Sequence, residues 1–182
     1  LSVRSSLKPK KIGTMITDEK SVLENNTVSG ITYSKDEAKI TLSRVQDKPG
    51  VSSKIFGPLA KGNINVDMIV QNISQDGVNA NITFTVPNSE LNSAKEILKN
   101  NFSTIKYNSL NTDQNVSKIS VIGMGMMSQS GVAQKMFRTL ANNSINILAI
   151  STSEIKISVL IDQKFTNIAV KSLHEAYNLT EN

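Results

Sequence analysis

Three features of the sequence predict an α+β fold built from two βαββαβ units, each an antiparallel sheet with helices on one face. They are an internal repeat, an alternation of strand-period and helix-period runs within each copy, and a second copy that stops one strand short. The repeat emerges when "KITLSRVQDKPGVSSKIFGPLAKGNINVDMIVQN" from Lys39 is set beside "KISVIGMGMMSQSGVAQKMFRTLANNSINILAIST" from Lys118. At the spacing of Gly50 from Gly131, Val51 meets Val132, Phe56 meets Phe137, Leu59 and Ala60 meet Leu140 and Ala141, and Ile64 and Asn65 meet Ile145 and Asn146. The second copy is longer between its first strand and its glycine.

The elements of the first copy follow in order. "EAKITLSRV" alternates as a strand, and "GVSSKIFGPLAKG" sets Val51, Ile55 and Leu59 on one helical face, with Gly62 ending the helix. "INVDMIVQNI" and "VNANITFTV" are rich in β-branched residues and are joined by the hairpin signal "SQDG". "NSELNSAKEILKN" opens on an N-cap and runs as an amphipathic helix, and "STIKYNSL" closes the unit as a fourth strand. This is the ferredoxin-like order. The second copy repeats it through a strand at 118 to 123, a helix at 130 to 142, strands at 145 to 152 and 155 to 161, and a helix at 165 to 177, after which only a few residues remain. The strand-like "TVSGITYS" at 27 to 34 has no partner in its own copy and is expected to fill the gap, so that unit 35–116 is inserted into a unit made of 27–34 and 117–182.

Composition narrows the function classes. The chain of 182 residues is 38% hydrophobic and 19% charged, as ordinary globular domains are. It has no apolar run long enough for a membrane span and no leader pattern, so a cytoplasmic protein without membrane contact is expected. With no cysteine and a single histidine, His174 in a helix-like stretch, thiolate and histidine metal sites and an imidazole relay are ruled out. Arg4, Lys8, Lys10 and Lys11 supply four charges of the net +5, and the remainder is nearly balanced. That is no stripe for a phosphate backbone. An RNA-binding sheet of this outline stacks bases on aromatic residues, and "EIKISVLI" offers none, so no nucleic-acid partner is expected.

The informative joint is "DKPGV" at 47 to 51, between the first strand and helix. The opening amides of a helix lack intrahelical partners, and the helix dipole adds partial positive charge there, which favours a carboxylate. Pro49 suits a first turn, Gly50 admits close approach to the backbone, and Asp47 beside that cradle can hold an ammonium group. Together these describe a site for an α-amino acid. In "INVDMIVQ", alternation places Asn65, Asp67 and Gln71 on one side with Ile69, and Ile64, Val66, Met68 and Val70 on the other. The matching second-copy positions are Asn146, Leu148 and Thr152, and Ser128 replaces the loop acid, so the second site is weakened or repurposed. "GMGM" at 123 to 126 lacks the residues a nucleotide loop needs, and Met124, Met126 and Met127 are read as adaptable interface contacts.

The stretches "VRSSLKPKKIGTMI", "VSGITYSKDEAKITL", "DKPGVSSKIFGPLAKGNINVDMIVQNIS", "ITFTV" and "NSINILAISTSEIKISVLID" resemble the C-terminal regulatory part of the aspartate kinases, with its tandem ACT domains. The resemblance implies that residues 1–26 are a remnant of the kinase-domain end and linker. It also implies feedback control of lysine, threonine and methionine biosynthesis, in which lysine, threonine or both bind between ACT domains and inhibit the phosphorylation of aspartate. The kinase domain, with its ATP and Mg, lies outside the resemblance, so no catalysis and no cofactor is expected of this stretch. Its implied partners are the amino-acid effector, a second copy in a homodimer, and a kinase domain or catalytic subunit. Carried over by position, the family's effector contacts fall on Asp47, Lys48, Pro49, Gly50, Val51, Ser52, Asn65, Val66, Asp67 and Gln71. From the second unit they fall on Val132, Ala133, Asn146, Ile147, Ser153 and Glu154. Ser130 stands where the family often has proline, which weakens a second full site. Lysine would need a second anion, from Asp67 or Glu154, whereas threonine would need a hydroxyl partner such as Gln71. A dimerisation scaffold without effector is the alternative.

Overall fold

The computed structural model describes residues 2–3, 14–15, 28–74, 77–123 and 131–179. The tail cations, the methionines at 124, 126 and 127, Ser128, Ser130 and the middle of the "SQDG" turn lie outside the described residues. Two short strands, β1 (Ser2–Val3) and β2 (Thr14–Met15), pair antiparallel. The rest forms two four-stranded antiparallel sheets, each with two long helices on one face.

The first sheet has the order β5-β6-β4-β7, from β4 (Ala38–Gln46), β5 (Asp67–Ile73), β6 (Asn79–Val86) and β7 (Ser109–Asp113). Its helices are α1 (Val51–Lys61) and α2 (Leu91–Asn100), followed by the single turn α3 (Phe102–Ile105). Alternation buries Ala38, Ile40 and Leu42 of β4 against Val51, Ile55 and Leu59 of α1. The phase then slips by one residue, so that Val45 faces inward. Arg44 takes φ 52 in that bulge and donates its N–H to Asn81 Oδ1 at 3.0 Å.

The second sheet has the order β3-β8-β10-β9, from β3 (Gly30–Ser34), β8 (Val116–Ile122), β9 (Ile147–Thr152) and β10 (Lys156–Asp162), covered by α4 (Val132–Asn142) and α5 (Thr166–Ala176). Strand 30–34, which the sequence leaves without a partner, pairs with β8 from Gly30↔Ile122 to Ser34↔Lys118. The chain therefore crosses to the first sheet after Ser34 and returns before Val116.

The repeat extends to the backbone. Gly50 and Gly131 open their helices at φ 89 and φ 101, where an L side chain is strained. Asn63 and Ser144 close them at φ 54 and φ 56, and the amides of Ile64 and Ile145 return to the carbonyls of Leu59 and Leu140. Val132, Met136 and Leu140 fill the second core as Val51, Ile55 and Leu59 fill the first.

Three sequence expectations need correction. The fourth strand of the first unit begins only at Ser109, because Phe102–Ile105 turns as a helix and Lys106 ends it in the left-handed region. Asn88 does not cap α2: its amide bonds Asp36 Oδ1 and its side chain donates to the Lys35 carbonyl, which spends it on the crossover loop. The simple alternation through "INVDMIVQ" also fails. Asp67 lies opposite Thr85, but Val70 lies opposite Thr83 and Gln71 opposite Ile82, with a bulge between and Met68 at φ 45. Cross-strand partners share a face, so Asp67 and Gln71 point to opposite faces of the sheet.

Candidate functional site

The end of β4 delivers Asp47 to the mouth of α1. Its amide donates to the Val78 carbonyl at 2.8 Å, which ties the loop to the β5–β6 hairpin. Its carboxylate accepts a hydrogen bond from Gln71 Nε2 at 3.2 Å. Lys48 and Pro49 are exposed, and the Lys48 carbonyl accepts the Val51 amide. Gly50 carries no side chain to cap the helix, the first turn holds no acid, and the space where a Cβ would stand is open. Exposed Ser52 lies in that turn while Val51 roots it in the core. The first amides of α1 and its dipole thus face outward beside a carboxylate that already engages a hydrogen-bond donor.

The start of β5 completes this end. Asn65 is exposed and its amide is held by Glu90 Oε2 at 2.8 Å, and Val66 packs against the first core. The bulge leaves Gln71 on the side of Asp47 but turns Asp67 away. Asp67 Oδ2 instead accepts from Lys118 Nζ at 2.6 Å, its Oδ1 accepts the Met68 amide, and Lys118 also pairs with Glu37. Burial by itself would raise the Asp67 carboxyl. The Lys118 bond, the Met68 amide and the charges of Lys118 and Lys156 hold it below its ordinary value. Burial would likewise lower Lys118, but its two carboxylate partners hold it above its ordinary value. Sequence reasoning missed Lys118 and Glu37. The available signal was that Lys118 stands in the polar phase of a strand whose other face is core; Glu37, in the loop before β4, carried no such signal.

The second set of positions is built differently. Val132 and Ala133 begin α4, Asn146 and Ile147 lead into β9, and Ser153 and Glu154 form the β9–β10 turn, where the Ser153 amide bonds the Lys156 carbonyl. Tyr177, after α5, donates its hydroxyl to the Val132 carbonyl at 2.7 Å, and Lys135 lies over its ring. Burial pushes the Tyr177 hydroxyl up to about 12. Leu148 is the extra residue of a bulge in β9, so the position matching Asp67 presents an apolar side chain. Among the described residues no hydrogen bond or ion pair joins this set to the first. None of them forms a cluster of metal-ligating side chains, and none of the helices they form is long and apolar enough to cross a membrane.

Comparison with known proteins agrees with this architecture. The family model described as ACT domain matches twice, at residues 43–102 and 119–177. An aspartate kinase of Pseudomonas fluorescens is 48% identical over 92% of this chain, and an aspartokinase of Helicobacter pylori is 44% identical over 93%. The chain spans only 40% and 42% of those relatives. Among solved structures, aspartokinase alpha and beta subunits match with TM-score 0.77 at 46% identity, covering 83% of this chain and 99% of that one. The ligand-free regulatory subunit of aspartate kinase from Thermus thermophilus matches with TM-score 0.78 at 32% identity, covering 84% and 99%. The chain belongs to the ACT-domain family, as a tandem pair of the aspartokinase regulatory type.

Proposed function

We propose that this tandem pair is an allosteric sensor that binds lysine, threonine or both and feeds their level back onto the phosphorylation of aspartate. The observation that carries this reading is the Asp47–Gln71 pair beside the uncapped, glycine-opened start of α1. There the α-carboxylate meets helix amides and the α-ammonium meets Asp47, while Gln71 and Asn65 are at hand for the effector's side chain. The relatives extend well beyond the matched region, and we assign the kinase chemistry, with its ATP and Mg, to that remainder. Regulation then follows from linkage: an effector shifts the kinase only by its difference in affinity for two arrangements of the ACT pair, typically about 1 to 3 kcal/mol.

A second copy of the chain completes the site in this reading. β5 and β9 are edge strands of their sheets, and Ile69, Ile73, Leu148 and Ile150 along them are exposed. Such edges seek a partner strand. Pairing across a dimer would carry Val132, Ala133, Asn146, Ile147, Ser153 and Glu154 toward the Asp47 end of the other copy. The same edges favour the alternative, a dimerisation scaffold that needs no ligand. Calorimetric titration with lysine, threonine and their mixture, with sedimentation in parallel, separates the two. Saturable heat that falls about tenfold or more in affinity in Asp47→Ala supports the sensor, whereas a dimer that gives no heat with any of them supports the scaffold.

A further inference from the structure

The two sheets meet through residues that neither helix-side core uses. Met68, Val116 and Leu160 form a small third core with Ala149 against it. Beside it, Lys118 of β8 reaches Glu37 at 2.5 Å and Asp67 at 2.6 Å. The Glu37 side chain is only 7% exposed. A carboxylate so buried is costly without a cation, and Lys118 comes from the opposite sheet. The polar and apolar contacts start at one place: Asp67 and Met68 are consecutive, and an unbroken strand would send them to opposite faces. The positive φ of Met68 in the β5 bulge lets both engage the second sheet. Past the bulge, on the other face, Gln71 bonds Asp47.

We propose that the Glu37–Lys118–Asp67 cluster, seated at the β5 bulge, is the link through which occupancy of the Asp47 site is passed to the second sheet, with Lys118 as its positioning residue. The signalling part rests on the effector reading above; the fastening of β5 by Lys118 does not. A bulge is where a strand can change twist or phase while the rest of its ladder stays paired. An amino acid that draws Gln71 and Asn65 toward α1 pulls on the strand segment whose other face Lys118 holds. The third core and the ion cluster lie on that segment, so its movement is felt first at β8.

Hydrogen exchange on the tandem chain tests both parts with wild type, Lys118→Met and Lys118→Arg. Without ligand, the amides of residues 67–70 should exchange about tenfold faster in Lys118→Met, as expected for loss of a charge-assisted contact. Lys118→Arg should restore most of the protection, and residues 51–61 should not change. Unaltered exchange at 67–70 in Lys118→Met overturns the fastening. Because that variant strands the buried Glu37 carboxylate, Glu37→Gln/Lys118→Met supplies the same measurement if the single variant does not fold. With saturating threonine or lysine, protection in wild type should appear at 47–52 and spread to 116–122. In Lys118→Met it should stop at 47–52. Spread to 116–122 in the variant overturns the link. If neither amino acid protects 47–52 in wild type, the effector reading fails and the signalling role falls with it, while the ligand-free comparison still decides the fastening.

Discussion

The two halves of this molecule share a backbone and differ in what they place at the same spot. Each opens a helix on a glycine at positive φ, buries the same three helical positions and closes on a left-handed residue. In the first half the helix mouth is flanked by Asp47 bonded to Gln71, and the bulged strand offers Asp67 to Lys118. In the second, Tyr177 packs beside the helix start, and the bulge presents Leu148. The difference teaches that core and turn positions carry the fold in both copies, while Leu148 in place of Asp67 and Thr152 in place of Gln71 set the described parts of the two ends apart.

The largest expected effect tests the shared part. Leu59→Ala and Leu140→Ala empty matching, fully buried positions, and each should lower unfolding free energy by about 2 to 5 kcal/mol in urea titrations. Clearly unequal losses would mean that the halves are not equivalent in packing. Next come the openings: Gly50→Ala and Gly131→Ala each force a side chain into the left-handed region, with a cost of about 1 to 2 kcal/mol in thermal unfolding, although nothing stands within 4 Å of either added Cβ. Equal losses here, with ligand binding affected only at Gly50, would sharpen the contrast between the two mouths.

The smallest effect concerns pH and the contact between the halves. Asp67 titrates below its ordinary 3.8, so its contribution is complete above that value and is lost as pH falls through the folded-state value. Lys118 titrates above its ordinary 10.5, so its contribution is complete below that value and is lost as pH rises past the folded-state value. The stability difference between wild type and Lys118→Arg should therefore stay flat across neutral pH and change only toward these two extremes. A step near neutrality would show that the cluster is wired differently.

Much of the fold was legible because it rests on local chemistry. The helical spacing of Val51, Ile55 and Leu59 marks their buried face, and Gly62 marks the helix end. Strand 30–34 was visible as a strand-period run with no partner in the copy that follows it, and it pairs with β8. Of the candidate site, the joint at Asp47 and Gly50 was legible from residue type, whereas strand period put Asp67 and Gln71 on one face. The structure sends these two to opposite faces, because the bulge between them shifts the phase of every residue beyond it and no residue type in "DMIV" announces one. Asn88 misled for a related reason: its amide and side chain were claimed by Asp36 and Lys35, far away in sequence.

By itself the sequence determined the repeat, the βαββαβ order of the first copy and the βαββα order of the second, the buried face of each helix and the polar character of the first helix mouth. These depend on period and on neighbours a few residues apart. Only the tertiary structure decided which way Asp67 points, that Lys118 and Glu37 claim it, and that a third core forms between the sheets. Those outcomes depend on a backbone rotation at Met68 and on side chains separated by 51 residues or more, which meet only after both sheets are built.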